Sequence, residues 1–173
     1  MYTAAQKERM DCAPELHKIR IWLALFIAGL VLSGLTAFPL EHEIRWLASF
    51  VAAHPVFPVG AATWIERVHT ALEDEGSRYP FLAYGTDWLA FAHLVLAVVF
   101  IGPLVAPVRN KWVLQFGLIA CAAVPLLALI AGYFRGIPFG WRLIDCSFGV
   151  FGAIPLSFAL RFTNRLEQHG YSR

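Results

Sequence analysis

The chain has 173 residues, of which 58% are hydrophobic and only 15% charged, with a net charge of +2 and a mean hydropathy of +0.60. A soluble domain carries about 45–50% apolar and about 25% charged residues, so an ordinary water-soluble globule is excluded. Nucleic acid is no expected partner either, because the charge is small and no basic stripe interleaved with aromatics occurs.

In chain order, apolar runs cover Ile21–Leu40, Trp88–Val108, Trp112–Phe134 and, more weakly, Phe139–Leu160. The first three contain no Asp, Glu, Lys or Arg, and each reaches the roughly 20 helical residues that cross a hydrocarbon core about 30 Å thick. In lipid, every backbone N–H and C=O must pair within its own segment, so helices are expected. The short alternating segments of a β-barrel are missing. The first run is too long for a signal peptide and lacks a clear small-residue cleavage site, which makes it a retained span.

Residues 41–87 separate the first two spans. Ile44, Leu47 and Val51 recur at helical spacing, as do Ile65, Val68 and Leu72 against Glu66, His69, Thr70 and Glu73. Two amphipathic helices are therefore expected, with Pro55, Pro58 and Gly60 breaking the chain between them. Only short links join the second, third and fourth spans, making them antiparallel neighbours. Gly29 with Ser33 and Gly149 with Ala153 offer small residues four apart for close helix approach, and Pro125 and Pro155 are expected to kink their spans.

Orientation follows from the cations. Lys7, Arg9, Lys18 and Arg20 precede the first span, Arg109 and Lys111 lie between the second and third, and Arg161, Arg165 and Arg173 follow the fourth. The opposite side has only Arg45, Arg67, Arg78, Arg135 and Arg142, spread over a longer stretch, so both termini are expected in the cytoplasm and 41–87 outside. The pattern suits a bacterial-type inner membrane. Cys12, Cys121 and Cys146 show no CxxC or metal-type spacing.

The intramembrane polar residues need a reason. From Cys146 to Leu160 the uncharged stretch covers about 22 Å as a helix, short of the roughly 30 Å core, so a full crossing draws Asp145 into the hydrocarbon with Arg142 near its outer boundary. A charge deep in a span costs about 2.5–3.5 kcal/mol and is expected to pair. Arg142, one turn earlier on the same face, is the expected partner, either as a helix anchor or as one charged wall of a binding site or proton path.

In the second span Asp87 stands at the outer edge and His93 six residues further in, about 240° apart around the helix. Thr86, Ala90 and Ala97 share a face with His93. An intramembrane imidazole can bond a neighbouring helix, relay protons, or ligate haem or another metal. Haem held between helices often takes two axial histidines, and no second His occurs in any span. Arg135 and Tyr133 fall at the same depth as these residues.

In the outer segment Glu66 and His69 have the E-x-x-H spacing of di-iron bundles, which need two such motifs; only one is present. A mononuclear metal site from His69 with Glu66 or Glu73 and a residue near His42 or His54 competes with the plain polar face of an amphipathic helix. No G-x-S-x-G elbow, phosphate loop or dinucleotide fingerprint occurs.

The expected fold is all-α: one membrane domain over 1–173, a four-helix bundle with two short amphipathic helices in its long outer segment. Two functions are expected. One is an accessory subunit or binding module of a larger membrane complex. The other is a redox or proton-linked protein binding a quinone, haem or metal at the outer mouth, using His93, Asp145 and Arg142 with Asp87 and Arg135 beside them.

Overall fold

A computed structural model describes the backbone of residues 4–171 and the side chains from residue 12 onward. Lys7, Arg9 and Arg173, counted above for orientation, lie outside the described side chains. Every regular element among the described residues is helical: α1 (Ala4–Ala37), α2 (Leu40–Ala53), α3 (Val59–Arg78), a 3-10 turn (Pro80–Leu82), α4 (Ala83–Val99), α5 (Ile101–Val105), α6 (Lys111–Phe134) and α7 (Phe139–Gln168). Among the described residues four stretches are long and apolar enough to cross a membrane: Cys12–Ala37, Pro80–Val105, Lys111–Phe134 and Phe139–Gln168.

The spans differ from the sequence expectation mainly at their ends. α1 stops at Ala37 rather than at Leu40, because Pro39 has no N–H to continue the ladder; its carbonyl instead accepts from the Glu43 amide at 3.1 Å and starts α2. The second span begins earlier, so Asp87 lies inside α4 rather than at its edge. It then breaks at Phe100, where Pro103 cannot donate to the Val99 carbonyl one turn back. Both α6 and α7 continue as helices through Pro125 and Pro155.

The chain divides into two compact units, one made of Met1–Gly29 with Leu96–Arg173 and the other of Leu30–Val95. The divisions fall within α1 and α4, so each unit takes part of both helices.

In the first unit α6 and α7 run antiparallel. Their link is a Schellman turn: the Ile137 amide donates to the Gly132 carbonyl at 2.9 Å and the Gly136 amide to Tyr133 at 3.2 Å. Gly136 has φ of +68°, the left-handed conformation that such a turn demands and that glycine adopts without a Cβ clash. The helices then meet backbone to backbone at Gly149. A Cβ there would stand 2.5 Å from the Cys121 carbonyl oxygen and 3.0 Å from Pro125 Cδ. The cause lies in α6, where Pro125 lacks the N–H that would engage Cys121 one turn earlier, leaving that carbonyl open to the α7 backbone.

Around this contact Gly117 faces Leu156 and Phe100, and Gly152 faces the Cys121 sulfur and Phe26. Phe26 meets Phe100 edge-on at 4.6 Å and Trp22 stacks on Phe158 at 4.6 Å, pairs worth about 0.5–1.5 kcal/mol each beyond their burial. In the connection before α6, the Asn110 amide donates to the Gly102 and Ala106 carbonyls at 3.1 and 2.9 Å, satisfying the end of α5.

The second unit holds the rest of α1, α2, α3 and most of α4. Gly29, the last α1 residue of the first unit, and Ser33 do not make the expected close approach: no packing neighbour lies within 4 Å of a Cβ at Gly29, and Ser33 is exposed. Gly34 does so instead, with a Cβ position 2.9 Å from the Ala90 carbonyl and 3.0 Å from Leu94. α2 and α3 form an antiparallel pair that buries Ala48, Val51 and Ile65 between them.

Candidate functional site

The polar residues singled out above fall into three groups. In the α6–α7 turn and in α7, within the first unit, are Arg135, Arg142 and Asp145; in α4, within the second, are Asp87 and His93. The third group, Glu66, His69 and Glu73, lies on α3.

The expected Arg142–Asp145 ion pair is not formed. Side chains on a helix lean toward its N-terminus, and Arg142 follows that rule. Its aliphatic stem lies over Gly132, its guanidinium stands 5.4 Å from the Phe139 ring, and Nη1 reaches the Leu129 carbonyl through a long 3.4 Å contact. Asp145, three residues further on, is too short to follow it back. The Asp145 carboxylate is half-buried without a hydrogen bond or ion pair among the described residues, and Nε of Arg142 is buried without a partner. Arg135, just past the last residue of α6, is exposed and likewise unpaired.

His93 is half-buried on the α4 face that also carries the buried Ala90 and Ala97, the face its spacing implied. Its Nδ1–H donates to the Leu89 carbonyl at 2.8 Å. That bond selects the tautomer whose Nε2 lone pair is free to accept a proton or bind a ligand. Asp87, more than a turn away, is half-buried and without a partner among the described residues.

The α2–α3 pair has a more connected polar arrangement. Arg45 donates to Glu41 at 2.6 Å and lies 3.9 Å from Glu73 across the pair. His69 is 17% exposed and is bracketed on α3, with Nδ1 4.0 Å from Glu66 and Nε2 3.9 Å from Glu73. The two carboxylates face opposite ring nitrogens, and one ion cannot take both nitrogens of one imidazole. Among the described residues no group of three or more His, Cys, Asp or Glu is disposed to hold a metal ion. Carboxylates and basic side chains alternate along the surface in the order Glu41, Arg45, Glu73, His69, Glu66. Nε2 of His69 is buried without a hydrogen-bond partner.

Part of this was hidden in the sequence. Glu41 and Arg45 are legible as an i,i+4 pair, but the bridge to Glu73 depends on the register between α2 and α3, which no local spacing gives. Alongside it runs an open groove of about 830 Å³, whose lining includes Ala48 and Val51 from α2 with Thr63, Glu66, Thr70 and Asp74 from α3. The Asn110 cap was also missed: an Asn just before an apolar run reads as a cap of the following helix, whereas its side chain bonds back to the end of α5.

No family model matches the chain, nor does any curated protein or solved structure.

Proposed function

We propose that this is a multi-pass membrane protein with both termini in the cytoplasm, acting as an accessory subunit or binding module of a larger complex in a bacterial-type inner membrane. The observation that carries the reading is the apolar surface left bare. Within the chain no more than 22% of any candidate span is buried. Leu32, Leu126, Leu127, Phe148 and Phe151 are each more than 60% exposed. In water such a surface is untenable, so lipid or partner helices must cover it. Trp46 and Phe50 also form an exposed aromatic stripe on α2, which suits a helix at the boundary between lipid and water.

Polar groupings that complete no catalytic set among the described residues support a subunit over an enzyme. Extraction of the tagged full chain from its native membrane in mild detergent tests this. The expected product migrates above the monomer with a second protein in fixed ratio. A stable lone monomer, with Leu127→Ala and Phe151→Ala leaving the assembly unchanged, contradicts it.

The free Nε2 of His93 favours one alternative, a redox or proton-linked protein that holds a quinone, haem or metal in the membrane. In that reading His93 is ligand or proton relay, with Arg142, Asp145, Asp87 and Arg135 providing charge. An optical spectrum and mass analysis of co-purified small molecules decide it: a chromophore, metal or quinone lost in His93→Ala supports it, and their absence from both proteins removes it.

A further inference from the structure

α7 carries a groove of about 480 Å³ lined by Val150, Ala153, Ile154, Ser157, Phe158 and Arg161. Its two ends differ. Val150, Ala153, Ile154 and Phe158 make an apolar floor, while the far end presents the Ser157 hydroxyl and, one turn on, the Arg161 guanidinium. Neither Ser157 nor Arg161 makes a hydrogen bond, ion pair or ring contact among the described residues. Both are exposed.

From Val150 to Arg161 the helix rises about 16 Å, close to the roughly 15 Å of one leaflet of a 30 Å core. The cation thus stands at headgroup depth when the apolar floor lies along an acyl chain. The same end is basic. Phe158 stacks on Trp22, and the next aromatic ring, Phe162, holds Lys18 at 5.2 Å and Arg165 at 5.6 Å. Among the described residues two acids stand at this end, and both are taken: Glu15 pairs with Lys18 at 3.1 Å, and Glu167 with Lys111 at 2.6 Å.

We propose that this groove is a binding site for an anionic phospholipid, with Arg161 on the phosphate, Ser157 on an ester carbonyl and the apolar floor against one acyl chain. Positive charge supplies the attraction, since Lys and Arg beside the membrane surface draw anionic headgroups at about 1 kcal/mol each. The inference rests on the membrane reading above but on neither the partner nor the orientation.

The test uses the full-length protein in neutral detergent, titrated with phosphatidylglycerol, phosphatidylcholine or inorganic phosphate, with bound lipid read by native mass spectrometry. Phosphatidylglycerol is expected to bind in a one-to-one complex and more tightly than phosphatidylcholine, with inorganic phosphate alone failing to bind. Arg161→Gln should weaken phosphatidylglycerol about fivefold, and Arg161→Lys should retain most of the affinity. Ala153→Trp fills the groove with the charge intact and should abolish the complex, which keeps the test valid if Arg161→Gln does not fold. Arg78→Gln, on α3, should change nothing.

Equal binding of the two lipids, or wild-type affinity in both Arg161→Gln and Ala153→Trp, means annular lipid only and overturns the proposal. Binding of inorganic phosphate as tight as that of the lipid also overturns it. A protein that assembles with partners yet fails these titrations loses this inference alone.

Discussion

In the α6–α7 hairpin two backbones touch, whereas in the α2–α3 hairpin it is side chains that meet. The first is closed by glycines: Gly149 against the Cys121 carbonyl, Gly117 against Leu156 and Phe100, and Gly132 under the Arg142 stem. No ion pair joins α6 to α7 until Lys111 meets Glu167 at the far end. The second is closed by a small apolar seam of Ala48, Val51 and Ile65, with Arg45 bridging to Glu73 at its edge. The contrast fits two media. In lipid, apolar side chains gain nothing by leaving the solvent, so association depends on close van der Waals contact and small residues. At a wet boundary, burial of an amphipathic stripe drives association and charges can stay outside.

The difference can be broken first at its tightest point. Gly149→Leu forces a side chain into a space already filled by the Cys121 carbonyl, Pro125 and Val124. It should cost about 1–3 kcal/mol or more, seen as a large fall in Tm in detergent that added salt does not alter. Gly136→Ala comes next, at about 1–2 kcal/mol, because it places a Cβ at φ +68° in the turn that reverses the chain between α6 and α7. Arg45→Ala should be the mildest, at about 0.2–1 kcal/mol, because the side chain is 47% exposed and its ion pairs are screened. Unlike the glycine variants, its deficit should shrink as salt is raised. A salt-dependent Gly149→Leu or a salt-independent Arg45→Ala would remove the distinction between the hairpins.

Most of the helical plan was legible because it rests on run length and local period. The third span and the start of the fourth fell where expected, and Ile44, Leu47 and Val51 with Ile65, Val68 and Leu72 marked the two helices of the long segment. Boundaries set by proline geometry were less visible: Pro39 ended α1 early and Pro103 split the second span. Small-residue spacing was only half informative. Gly149 is a contact point, but Ala153, its spacing partner, lines the open groove on α7, and Gly34 replaced Gly29 as the close-approach position. The ion pair between Arg142 and Asp145 was the clearest misreading. Sequence spacing places both on one face but does not tell which way a long side chain leans, and Phe139 and the Leu129 carbonyl offered Arg142 a place on the N-terminal side.

The proposal that α6–α7 lies in lipid while α2–α3 lies at the wet boundary, with the α2–α3 link on the side opposite the termini, is tested most directly by cysteine labelling in intact cells. Val56→Cys replaces an 84% exposed residue between α2 and α3, and His169→Cys lies just past α7. With a membrane-impermeant maleimide, Val56→Cys should label in intact cells, and His169→Cys only after the membrane is opened. Phe151→Cys, exposed on α7, should label poorly in both conditions because lipid covers it. Labelling of Val56→Cys and His169→Cys from the same side, or ready labelling of Phe151→Cys, would contradict the account.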